Sequence, residues 1–196
     1  MSEWIAFISY ALVMSITPGP NNVMVLSSGA NFGLKRTMPH VLGITYGFTL
    51  QTLAVCAVFG LAWNHLSAPP AWLSWVGAAY LAYLAFKLLR AGPVGSALVA
   101  KPLTLWEGMI FQAVNPKAWI MALTTASVFV PKLGDLPMAL LLMAVVLIVI
   151  NLPCVTTWAA FGDALRTWLA SPRRRAVFNG IMGLLLLLTA WRMVAA

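Results

Sequence analysis

The sequence predicts an all-α integral membrane protein with six transmembrane helices, built as two inverted three-helix repeats in which helices 1 and 4 are broken. Three observations carry this. The 196 residues are 62% hydrophobic and 8% charged, with a mean hydropathy of +0.91, a composition foreign to the surface of a soluble domain. Apolar runs recur at lengths of roughly 20 residues, enough to cross about 30 Å of hydrocarbon. Two of these runs are interrupted by the same residue types, Thr17-Pro18-Gly19-Pro20-Asn21-Asn22 early in the chain and Asn115-Pro116-Lys117 past its middle.

The runs lie at about 4–28, 39–63, 71–90, 106–130, 136–161 and 175–194, six spans by length. They leave one membrane domain over 1–196, with repeat one at about 1–90, a linker at about 91–102 and repeat two at about 103–196. The first run has Glu3 and no Lys or Arg at its flank, and Pro-Gly-Pro interrupts its core, so a cleaved signal peptide is not expected. Three spans per half is an odd number, so the second half runs through the bilayer upside down relative to the first. Gly92-Pro93-Val94-Gly95-Ser96 reads as the joint between them.

The formal net charge of +8 reads as topology rather than as a nucleic-acid surface, and no nucleic-acid partner is expected. Alternate loops place Lys35, Arg36, Lys87, Arg90, Lys101, Arg166 and Arg173 to Arg175 on one side, against Lys132 and Arg192 on the other. The positive-inside rule makes the rich side cytoplasmic and both termini periplasmic. Trp4, Trp63, Trp72, Trp75 and Trp191 then fall near the outer interface and Trp106 and Trp168 near the inner one, whereas Trp119 and Trp158 fit no belt. Gly43 with Gly47, and Gly180 with Gly183, offer small faces for close helix contact. A homo-oligomer through such faces is compatible with the sequence, which leaves its order open.

A proline removes a backbone N–H and frees a carbonyl, which is costly in lipid, so breaks at this depth belong beside a cavity. Asn115 suits the N-cap and Pro116 the first position of a new half-helix, and Pro20 can start another. Each start offers N–H groups and the positive end of a helix dipole to a carboxylate. The competing reading is a pair of proline kinks re-satisfied by neighbouring helices. Lys117 lies about 11 residues from Trp106 and about 14 from Pro131, roughly 15–20 Å from either interface at 1.5 Å per residue. It is either an electrostatic partner or gating contact for an anionic substrate group, or a lysine tied to carbonyls freed by the Pro116 break.

Asn151 and Pro153 give the fifth run a polar, kinked point, and Gln51 does the same in the second; each also reads as helix-to-helix glue. Glu107 and Asp163 sit towards cytoplasmic ends, Asp163 within reach of Arg166, and His40 lies near the inner surface without an assigned proton role. No metal cluster, nucleophile–base pair or phosphate loop is present in the sequence, so no cofactor, no metal and no enzymatic chemistry are expected. The candidate substrate-binding residues are Thr17, Pro18, Gly19, Pro20, Asn21, Asn22, Gln112, Asn115, Pro116, Lys117, Trp119 and Asn151.

These residues resemble the LysE/RhtB family of bacterial amino-acid exporters. The resemblance rests on Thr17-Pro-Gly-Pro-Asn-Asn22 with Gly33, on Gly77-Ala-Ala-Tyr-Leu-Ala-Tyr83, and on Asn115-Pro-Lys117 after Phe111, and it spans essentially the whole chain. It implies six helices in the bacterial inner membrane and efflux of amino acids or close derivatives, driven by ion gradients. Ser27-Ser28, Ala100-Lys101-Pro102 and Phe111-Gln112 make the chain most similar to the cysteine and O-acetylserine exporter type. Where many relatives carry aspartate, this chain has Asn21 and Asn151, which suits a small neutral or zwitterionic substrate better than a cationic one. A second reading, a membrane thiol-redox conductor, uses Cys56 and Cys154 in the equivalent second and fifth runs. A scaffold without transport has no need of polar breaks.

Overall fold

In the computed structural model the described residues are 2–62, Trp75, Ala78, Ala79, Ala82, Tyr83, Ala85, Phe86 and 101–195, and all their regular structure is helical. The linker motif at 92–96, most of the third run and Trp63 and Trp72 lie outside the described residues. Among the described residues two helices, over Leu34–Val58 and Leu136–Ala164, are long and apolar enough to cross a membrane.

Helix α1 (Ser2–Ile16) carries Glu3 in its first turn, where a carboxylate complements the dipole. Pro18 ends it, because the residue before a proline is driven out of the α region. Gly19 is extended (φ −164°, ψ 178°) and α2 (Pro20–Phe32) restarts with proline at its first position. Gly33, at φ 85°, turns the chain into α3 (Leu34–Ala62), a left-handed conformation that disfavours a Cβ. The second break repeats the first with different caps. Thr104 and Glu107 form a capping box that starts α4 (Leu105–Gln112), and α5 (Pro116–Thr124) begins after Asn115. A π-turn at Thr125–Phe129 leads through Lys132 to α6 (Leu136–Ala164), capped by Asp135. The chain closes with α7 (Pro172–Ala195).

Close crossings at glycine set the architecture. A Cβ on Gly29 would strike the carbonyl of Ala159, and one on Gly162 the carbonyl of Leu26, so α2 and α6 meet backbone to backbone. Gly43 and Gly47 do the same for α3 against Leu105 and Met109 of α4. That small-residue face is therefore consumed inside the subunit and is not free for an oligomer. Gly180 of α7, by contrast, has nothing within 4 Å of a built Cβ.

The outward faces are aliphatic. Leu141, Val145 and Val149 form an exposed stripe at four-residue spacing on α6, and Ile181, Leu184 and Leu188 another on α7. Ser15, Asn22, Thr45, Gln112, Asn115 and Asn151 are buried. Exposed apolar stripes around a polar interior fit a lipid solvent, in which backbone and amide groups must find partners inside the protein.

Candidate functional site

The first break leaves α1 with carbonyls short of helical N–H partners, and Thr17 together with side chains from α2, α5 and α6 completes them. Thr17 N–H and Oγ1 donate to Val13 and Met14 carbonyls at 3.1 Å each. Asn22 Nδ2 reaches the Ser15 carbonyl at 3.1 Å and that of Thr17 at 2.8 Å. Trp158 on α6 donates its indole N–H to the Ile16 carbonyl at 3.1 Å. Lys117 Nζ, from the other break, donates to Thr17 O at 2.7 Å and to Thr17 Oγ1 at 3.0 Å. Lys117 is thus tied to a carbonyl freed by the first break; the expectation of carbonyls freed by Pro116 is corrected in this respect. The methylene stem of Lys117 lies so close to Gly19 that a Cβ there would come within 2.8 Å of Cδ.

The second break is tighter. Ala113, Val114 and Asn115 N–H groups bond three residues back to Ile110, Phe111 and Gln112, and the Trp119 indole caps the Ala113 carbonyl at 2.7 Å. Trp119 and Trp158, which fit no interfacial belt, each satisfy a carbonyl at a break. Asn115 Oδ1 accepts from Lys117 N–H at 3.1 Å, so α5 is capped by its own side chain. The α2 start has no side-chain cap, and its Asn21 and Asn22 N–H groups meet no acceptor among the described residues. The two helix starts are not equivalent, against the expectation of two open ends: the open one belongs to α2.

A double amide bridge joins the breaks. Asn21 Nδ2 donates to Gln112 Oε1 at 2.9 Å and Gln112 Nε2 donates to Asn21 Oδ1 at 3.1 Å. Gln112 also serves the Gly108 carbonyl and Asn115 Nδ2. On the other side Asn151, 6% exposed, links α6 to Ser15 Oγ of α1 and to Thr45 Oγ1 of α3, both at 3.2 Å.

These groups surround a cavity of about 30 Å³, room for a water molecule or two and not for an amino acid. Of the residues singled out from the sequence, Gly19, Pro20, Asn21, Asn22, Asn115, Lys117 and Asn151 line it. Thr17 and Gln112 stand behind the lining as hydrogen-bond partners. Pro18 is exposed, and Pro18, Pro116 and Trp119 shape the breaks without lining the cavity. Ser15, Phe48, Met121 and Val155 also line it and were not singled out; only Ser15, a hydroxyl two residues before the break, carried a local signal. Cys56 and Cys154 are free, buried and absent from the lining.

Apolar outward stripes and a partly open cavity that carries amides and a lysine between two broken helices place this chain among helical membrane proteins suited to a small polar ligand. The sequence pattern of the LysE type translocator family matches residues 12–196, and the chain belongs to that family. It is 31% identical over 158 residues, 80% of each chain, to the cysteine/O-acetylserine efflux protein of Klebsiella pneumoniae. It is 36% identical over 128 residues to the proteins of the same name from Escherichia coli K12 and Shigella flexneri. Those matches span 64% of the relatives' length, a little under two thirds. No solved structure matches the chain.

Proposed function

We propose that the protein is a secondary transporter of the bacterial inner membrane that exports small neutral or zwitterionic amino acids or derivatives, of the cysteine/O-acetylserine kind, by alternating access. The observation that carries this is the cavity between the breaks, lined by Asn21, Asn22, Asn115, Lys117 and Asn151 and containing no carboxylate among its described residues. The substrate carboxylate is received by the uncapped start of α2, where the Asn21 and Asn22 N–H groups and the dipole converge. Lys117 ties one break to the other through Thr17. A cavity this small must open for an amino acid to enter, as alternating access requires. The chain crosses the membrane six times as two inverted repeats, with both termini outside, a reading supported by the loop charges.

A thermal-shift screen of the purified protein against amino acids and their acetylated derivatives tests the reading. Ligands that bind the folded state raise apparent stability, and small zwitterions such as O-acetylserine are expected to do so. A shift with lysine or arginine and none with neutral amino acids would contradict it.

A further inference from the structure

The cavity holds one titratable side chain among its described lining residues, Lys117, and that ammonium occupies an acceptor set made by a single residue. Thr17 offers it a carbonyl at 2.7 Å and a hydroxyl at 3.0 Å, which is what the α-ammonium of an amino acid would seek. Asn21 and Asn22 face it from α2, Phe48 from α3 and Asn151 from α6, beside its own neighbour Asn115, and none of them titrates. The carboxylates stand elsewhere: Glu3, Glu107 and Asp135 in or at the first turns of α1, α4 and α6, and Asp163 at the end of α6. No counter-charge near Lys117 would let two ammonium groups share the site.

Resting on the exporter reading, we propose that the substrate α-ammonium and protonated Lys117 compete for the Thr17 carbonyl and hydroxyl, and that Lys117 thereby carries the proton exchanged for substrate. On the cytoplasmic side the substrate ammonium takes the Thr17 acceptors, Lys117 gives one proton to the cytoplasmic water and remains as a neutral amine. On the outer side the substrate leaves, and Lys117 takes one proton from the outer solution and re-forms its bonds to Thr17. The closed, protonated site then returns inward. One zwitterion moves out, one proton moves in, and no other reactant is needed. The same exchange makes a free α-amino group a requirement for recognition. Gly19 fits the scheme, since a Cβ there would come within 2.8 Å of Lys117 Cδ and push the stem from its place across the break.

The rival proton carrier is His40, which is fully buried with both ring nitrogens unpartnered but is not part of the cavity lining. Purified protein is titrated with O-acetyl-L-serine and with N-acetyl-L-serine in weakly buffered detergent solution containing a pH indicator. Wild type is expected to release about one proton per O-acetylserine bound, with affinity rising about tenfold per pH unit while empty Lys117 is protonated. N-acetylserine, without an ammonium, releases none. Lys117→Gln abolishes the release, and His40→Gln leaves it intact. Proton-free binding by wild type overturns the proposal, because Lys117 then stays charged opposite the carboxylate. Undiminished release by Lys117→Gln, or its loss in His40→Gln alone, also overturns it. If Lys117→Gln neither folds nor binds, the wild-type contrast between the two ligands decides. Failure of wild type to bind any amino acid defeats the exporter reading itself, a distinguishable outcome.

Discussion

Asn21 and Gln112, 91 residues apart, exchange two amide hydrogen bonds and so fasten one helix break to the other. Each side chain is both donor and acceptor to its partner, and Gln112 is 1% exposed. Truncating Asn21 leaves both Gln112 amide atoms with a second partner, the Gly108 carbonyl and Asn115 Nδ2, whereas truncating Gln112 strands the buried Asn115 Nδ2, at a cost of about 1–3 kcal/mol. Gln112→Ala should destabilise the purified protein by that amount, and Asn21→Ala by less, about 1 kcal/mol. Asn21→Ala combined with Gln112→Ala should lose less than the sum of the two single variants, because each removes the same pair of mutual bonds. Urea or thermal unfolding in detergent checks both statements.

The α2–α6 crossing has no room for a side chain at Gly29 or Gly162, where a Cβ would meet backbone carbonyls that cannot step aside. Gly162→Ala should therefore destabilise by about 1–3 kcal/mol as an overpacked contact. Gly180→Ala, in open space on α7, should be neutral or stabilising by up to about 1 kcal/mol, from helix propensity alone. Comparing the melting temperatures of the two variants separates packing from propensity.

Gly19→Ala meets the Lys117 side chain rather than backbone, so its cost falls on the site. The expected result is at least a tenfold loss of transport, about 1.4 kcal/mol, with melting behaviour close to wild type. A large loss of stability would show that the Gly19 conformation, not the Lys117 contact, is what matters there.

Trp158→Phe keeps the ring and removes the N–H that serves the Ile16 carbonyl. The freed carbonyl should cost about 1 kcal/mol. The double variant Cys56→Ala with Cys154→Ala should retain export, since neither thiol lines the cavity. Loss of transport in well-expressed double variant would favour the redox reading instead.

The helix breaks were legible because their chemistry is local: Pro18 and Pro116 forbid continuation, and Asn115 caps where an N-cap is needed. The start of α6 at Leu136 coincides with that of its apolar run, whereas α3 begins at Leu34, before its run, because Gly33 and not hydropathy sets that end. What local chemistry does not encode is the partner. Nothing near Lys117 in sequence points to Thr17, a hundred residues away, nor does anything near Trp158 point to Ile16. The Gly43 and Gly47 pair announced a close approach, while its partners, Leu105 and Met109, emerge only once α3 and α4 have packed. Phe48 and Val155 enter the cavity as ordinary apolar residues of long helices, with no mark distinguishing them from core.

The most direct test of the account is counterflow of labelled O-acetylserine in proteoliposomes. Wild type should show saturable exchange that unlabelled neutral amino acids compete away, and Asn22→Ala and Lys117→Ala should each reduce it by at least tenfold. Counterflow unchanged in both variants would contradict the assignment of the cavity between the breaks as the transport site.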